Sequence, residues 1–138
     1  LCDPQNQAIC IVHAGWKGTL SRAVKAAVEG MAAAFGSLPE NLLAGIGPSI
    51  GPDHYEVGEE VAAVGRENFG TDARNFFLHL DGKYFLNLWD ANEFILREAG
   101  VESIERSNIC TACDPSRWFS HRGENGKTGR FGAFLALR

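Results

Sequence analysis

Ala8-Ile9-Cys10-Ile11-Val12-His13-Ala14-Gly15-Trp16-Lys17-Gly18-Thr19-Leu20 carries an apolar run across two glycines into a helical pattern. Residues 8–12 are apolar throughout and short, which predicts a buried strand. From Leu20 on, Leu20, Ala23, Val24, Ala27, Val28, Met31 and Phe35 recur at helical spacing, with Arg22, Lys25 and Glu29 on the other side. That pattern predicts a helix over 19–35, stopped by Gly36 and Pro39. A strand feeding a helix through a glycine turn is a unit of a sheet covered by helices, and its strand end faces unpaired backbone N–H groups where ligands collect. His13 stands at that strand end, beside the start of the helix.

Working outward, Cys2-Asp3-Pro4-Gln5-Asn6-Gln7 reads as a turn, so residues 8–12 form the second half of a hairpin. The strand expected before Asp3 is then cut short, and the chain reads as the C-terminal portion of a longer protein. Downstream, residues 42–46 predict a short buried strand leading into Gly47-Pro48-Ser49-Ile50-Gly51-Pro52, and residues 58–69 predict a second helix. Residues 76–80 and 84–88 flank Asp81-Gly82, a pair that favours the primed turns of hairpins. Leu88, Ala91, Phe94, Ile95 and Ala99 keep helical period up to Gly100, which predicts a third helix over 89–99. Residues 103–109 predict a strand, and the unbroken apolar run 131–137 predicts a central strand covered on both faces. The fold class is α+β, with mixed sheets and outer helices, in a single domain over 1–138.

Composition narrows the function. With 13 Lys and Arg against 17 Asp and Glu, the net charge of −4 offers no footprint for a nucleic-acid backbone. No apolar run approaches the roughly 18 residues that a membrane helix needs, and a soluble, cytoplasmic protein is expected. Four cysteines in 138 residues are too few for a disulfide scaffold, so reduced thiols or metal ligands are the expectation. Sixteen glycines exceed the roughly 7% of average usage and gather between predicted elements, where backbone can approach a ligand closely.

Three segments could carry chemistry. His13 could be a catalytic residue that ligates a metal, or simply a histidine hydrogen-bonded at a strand end; alone it makes no zinc site, which needs three or four ligands. Cys110-Thr111-Ala112-Cys113 has the spacing of half a zinc knuckle, but no second such pair completes it, and packed or half-exposed thiols are the simpler reading. Trp118-Phe119-Ser120-His121-Arg122, followed by Lys127-Thr128-Gly129-Arg130, gathers aromatics, a histidine and cations around a glycine-rich loop. Such a loop could hold an aromatic base and an oxyanion, or be an exposed hairpin loop with solvated charges.

Taken in order, His13-Ala14-Gly15-Trp16-Lys17-Gly18, Ile46-Gly47-Pro48-Ser49-Ile50-Gly51-Pro52, Tyr55-Glu56-Val57-Gly58, Asn87-Leu88-Trp89-Asp90-Ala91-Asn92 and Phe119-Ser120-His121-Arg122 resemble the laccase-domain family. That family was long labelled polyphenol oxidase and is now regarded as zinc-dependent purine nucleoside phosphorylases. The resemblance implies a layered α/β/β/α fold related to the catalytic domain of cytotoxic necrotizing factor toxins. It also implies a zinc held by two histidines and one cysteine, of which only His13 maps onto this chain; the other two belong upstream of Leu1. The implied reaction is phosphorolysis of adenosine or inosine, with deamination of adenosine as a side activity. Lys17, Phe119, His121, Arg122 and Arg130 are the substrate-binding candidates. Lys17 stands where the family more often has Arg, Gly123 where a second Arg is frequent, and Ser49 where Cys is frequent. Copper-dependent phenol oxidation is the rival activity, and a non-catalytic module that keeps the fold is the rival class. The 138-residue chain alone is expected to be catalytically silent.

Overall fold

The computed structural model describes residues 1–137, arranged as two compact units. The first comprises residues 1–46 and 92–107 with the C-terminal residues from 133; the second comprises residues 47–91 and 108–132. Among the described residues the fold is mixed α+β, with two named sheets and four α-helices. None of these helices is long and apolar enough to cross a membrane.

In the first unit, strands β1 (Cys2–Asp3) and β2 (Ala8–Ile9) form the hairpin expected from the Asp3-Pro4 turn, in antiparallel register Cys2↔Ile9 and Asp3↔Ala8. Asp3 organises that turn. Its Oδ1 accepts the backbone N–H of Gln5 and Asn6 at 2.9 and 3.1 Å, and its Oδ2 accepts Asn6 Nδ2 at 2.8 Å. The neighbouring Ser37 hydroxyl and the Asn6 amide, aided by those backbone N–H groups, outweigh burial and hold the Asp3 carboxyl at about 2. β1 also pairs antiparallel with β3 (Leu43–Ile46), and β3 pairs parallel with β7 (Ser103–Arg106), from Leu43↔Ser103 to Ile46↔Arg106.

The expected helix over 19–35 is two helices, α1 (Trp16–Leu20) and α2 (Ala23–Phe35). Arg22 breaks it with a left-handed backbone, φ 61°, and its guanidinium pairs with Glu98. Nothing in an arginine side chain signals such a break; a tertiary ion pair accompanies it. Val24, Val28 and Met31 are buried as the periodicity requires, whereas Phe35 is exposed. The buried strand expected at 8–12 is trimmed to its first two residues, and Ile11 is exposed.

In the second unit, β4 (Glu56–Val57), β6 (Lys83–Leu86) and β5 (Phe77–Leu80) form an antiparallel sheet in that order. Asp81 and Gly82 adopt φ of 50° and 75°, the double positive φ that a two-residue primed turn demands. Helix α3 (Glu59–Phe69) lays Val61, Ala62 and Phe69 into a core with Phe76, where the Phe69 and Phe76 rings meet edge to face at 5.0 Å.

Helix α4 (Leu88–Glu98) begins at a side-chain cap: Asn87 Oδ1 accepts the backbone N–H of Trp89 and Asp90, each at 3.1 Å, while Asn87 Nδ2 donates to Asp90 Oδ2 at 2.6 Å. This explains why Asn87 precedes the helical period.

One expectation is overturned. Residues 131–137 pair with no strand among the described residues and are exposed throughout, Phe134 at 96%. An apolar run becomes a central strand only where neighbours supply hydrogen bonds on both edges, and no described strand does so here.

Replacing Asn87 by Ala should cost about 1 kcal/mol of stability, whereas Asn87→Ser should cost less because a hydroxyl oxygen remains to accept from the helix N–H groups. Urea unfolding of the two variants measures the difference.

Candidate functional site

The first candidate is the turn that carries His13. His13 is exposed, in extended chain between β2 and α1, and Gly15 caps α1. A Cβ on Gly15 would lie 3.3 Å from His13 Nε2, so the absent side chain lets the imidazole lie against the turn. The turn is fixed from below by Thr19, fully buried: its hydroxyl donates to the Ala14 carbonyl at 3.1 Å and accepts from Asn92 Nδ2 at 3.0 Å. Lys17 is exposed on the same segment, its ammonium 5.4 Å from the Trp16 ring centre. His13 thus precedes the braced turn and Lys17 follows it, within α1, which starts three residues earlier than the sequence pattern predicts.

Phe119, His121, Arg122 and Arg130 share one loop of the second unit, and all four are exposed. The loop braces itself. Glu124 Oε2 accepts the Ser120 N–H at 2.8 Å and pairs with the Thr128 hydroxyl, and the hydroxyl first, then the N–H, pull the Glu124 carboxyl below its ordinary value against burial. Gly126 N–H donates to the His121 carbonyl at 2.7 Å. The Arg122 guanidinium lies 5.3 Å from the Tyr55 ring centre and donates to the Glu56 carbonyl. Burial raises the Tyr55 phenol, and the Arg122 charge partly offsets this. Arg130 turns back on its own loop, donating to the Gly129 carbonyl at 2.7 Å.

A third group escaped the sequence. His54 Nδ1 lies 3.7 Å from Cys110 Sγ and 3.7 Å from Cys113 Sγ, and among the described residues these three form a group able to hold a metal ion. Two turns build it. The His54 N–H bonds to the Gly51 carbonyl at 3.1 Å, and the Cys113 N–H to the Cys110 carbonyl at 3.3 Å. Cys110 is pinned by backbone bonds on either side, Ser49 N–H to the Ile109 carbonyl at 3.2 Å and Thr111 N–H to the Ser49 carbonyl at 3.0 Å. Ser49 is held in turn by Trp89 Nε1, 2.7 Å from its hydroxyl. The Cys113 thiol is raised, first by its hydrogen bond with Cys110, then by burial and the negative charge of Asp53. The Cys-x-x-Cys spacing pointed to half of this group; His54, 56 residues before Cys110, had no signal in local spacing.

Residues 1–138 match the family model for multi-copper polyphenol oxidoreductase laccase. The chain belongs to this laccase-domain family. It is 37% identical to a purine nucleoside phosphorylase of Deinococcus radiodurans over 99% of its length, covering 52% of that protein. It is 36% identical to the purine nucleoside phosphorylase YlmD of Bacillus subtilis over 99% of its length, covering 50% of that protein. It is also 35% identical to adenosine deaminase RL5, of an unknown prokaryotic organism, over 94% of its length and 50% of that protein. The crystal structure of the Bacillus licheniformis hypothetical protein YfiH superimposes with a TM-score of 0.87 at 37% identity, covering 93% of this chain and 49% of that one. The laccase-domain chain described here thus spans about half the length of the curated relatives it matches.

The buried Thr19 hydroxyl is predicted to set the rigidity of the His13 turn. Thr19→Val keeps the shape but leaves the Ala14 carbonyl and the Asn92 amide short of a partner, which should cost about 1–3 kcal/mol. Chemical unfolding should register that loss, and an unchanged midpoint would show that the turn is braced elsewhere.

Proposed function

We propose that the whole protein to which this chain belongs is a purine nucleoside phosphorylase acting on adenosine or inosine. The observation that carries this reading is the run of relatives named purine nucleoside phosphorylase, 34–37% identical over 89–99% of this chain. In phosphorolysis a phosphate oxygen bonds to the anomeric carbon of ribose as the glycosidic bond breaks. The bonding electron pair leaves with the purine, which gains a proton, and free base and ribose 1-phosphate result.

Lys17, Arg122 or Arg130 is the cation proposed to hold phosphate and offset its charge. The Tyr55 ring and the Glu56 carbonyl hold the Arg122 guanidinium. Phe119, 48% exposed, offers a ring face to a purine, and His121 offers ring nitrogens to its edge.

His13 is proposed as one ligand of a zinc whose other two ligands, a histidine and a cysteine, precede Leu1 in the longer protein. The residues present fit this site only in part: the described three-residue metal group does not include His13. Zinc, when bound, supplies a Lewis acid; His13 contributes an imidazole at a braced turn, and the 138-residue chain alone is proposed to be inactive. Deamination of adenosine, in which water replaces the amino group and ammonia leaves, is proposed as a side activity, supported by the relative named adenosine deaminase RL5. Copper oxidation of phenols is the weaker reading, because multicopper chemistry needs several sites rich in imidazole and this chain has four histidines in all. A cytoplasmic location fits a nucleoside and phosphate as substrates.

In the complete protein, His13→Ala should lower bound metal by one equivalent and lower phosphate-dependent release of adenine by more than the roughly 10–100-fold typical of losing a group behind a metal ligand. Metal analysis and a base-release assay read both effects; normal metal content with normal turnover would overturn the assignment of His13.

A further inference from the structure

We infer that His54, Cys110 and Cys113 bind one zinc ion at a site of their own, separate from the site proposed at His13 and independent of the purine reading. A tetrahedral zinc with Zn–S near 2.3 Å and Zn–N near 2.0–2.1 Å separates sulfur from nitrogen by about 3.6 Å. His54 Nδ1 stands 3.7 Å from each sulfur, so both sulfur–nitrogen edges already have tetrahedral length, and all three donor atoms lie within 4.8 Å of one another. Two thiolates and an imidazole are also the donor set that zinc prefers over the harder cations.

The backbone supports the same conclusion. Each donor segment is a tight turn closed by its own hydrogen bond, Gly51 to His54 and Cys110 to Cys113, so little chain entropy is lost when the metal arrives. The Gly51 N–H points at Cys110 Sγ from 3.1 Å. That hydrogen bond fixes where the sulfur stands, the kind of support that groups behind a ligand give in zinc sites. A Cβ on Gly51 would lie 3.1 Å from Cys110 Cβ, 3.2 Å from its Sγ and 2.8 Å from Asp53 Oδ1, so residue 51 is kept bare for the sulfur. Asp53 Oδ1, 3.0 Å from His54 Nδ1, adds negative charge beside the cation. His54 and Cys113 are exposed, which gives the ion an entry path and leaves the fourth position to water.

The consequence is structural. The ion ties the loop that precedes Tyr55 to the turn that follows Ile109, and so fastens the segment against which Arg122 rests.

The test uses the 138-residue chain, reduced and stripped of metal, titrated first with cobalt(II) as a spectroscopic probe and then with zinc. One equivalent of cobalt should produce a thiolate charge-transfer band and tetrahedral d–d bands. One equivalent of zinc should then bleach them and protect two of the four thiols from a thiol reagent. Cys113→Ser changes an exposed side chain, so the fold should persist while the charge-transfer intensity falls by about half and zinc no longer protects two thiols. His54→Ala should weaken zinc at least tenfold. His13→Ala and the double variant Cys2→Ser, Cys10→Ser should titrate like the parent. Absence of a charge-transfer band in the reduced parent, or its full retention in Cys113→Ser, would overturn the site, as would its loss in His13→Ala.

Discussion

A buried hydroxyl does much to hold the candidate site in place. Thr19 has no exposure, and its single oxygen joins the Ala14 carbonyl, two residues before Trp16, to the Asn92 amide of helix α4. Hydrogen bonds between buried polar groups contribute modestly in net terms but cost the full desolvation penalty when one partner is lost. The Ala14 carbonyl is thereby tied to helix α4, and the neighbouring His13 is presented as an exposed imidazole. The hydrophobic contacts of Val24, Val28 and Met31 stabilise the unit, but they are non-directional and would not by themselves fix a turn to a fraction of an ångström.

The second unit uses a different device. Cys110 is clamped by backbone bonds to Ser49 on either side, and Ser49 is itself clamped by the Trp89 indole. Residues with little direct chemistry thereby decide where sulfur and imidazole atoms stand. The same unit carries Arg122 on Tyr55 and Glu56, so the metal-capable group and the proposed phosphate contact share one short stretch of chain, residues 49–56.

How much of this was legible in the sequence follows the range of the interactions. Local patterns are legible: the Asp81-Gly82 hairpin, helix α3, the helix after Asn87 and the turn after Asp3 all follow from periodicity and turn chemistry acting over a few residues. Long-range terms were not. The break at Arg22 accompanies a pairing with Glu98, 76 residues away, and residues 131–137 keep a strand's composition without a described partner. The family motifs marked His13, Lys17 and the loop from Phe119 to Arg130, but local spacing cannot report that a histidine at position 54 meets cysteines at 110 and 113.

The central claim is that the longer protein cleaves purine nucleosides with phosphate. Phosphorus-31 NMR of that protein mixed with adenosine and phosphate tests it most directly. The account predicts that the phosphate signal falls while ribose 1-phosphate grows in equal amount, with adenine as the accompanying base. Adenosine consumed with no change in the phosphorus spectrum, whether to inosine and ammonia or to adenine and free ribose, would contradict it.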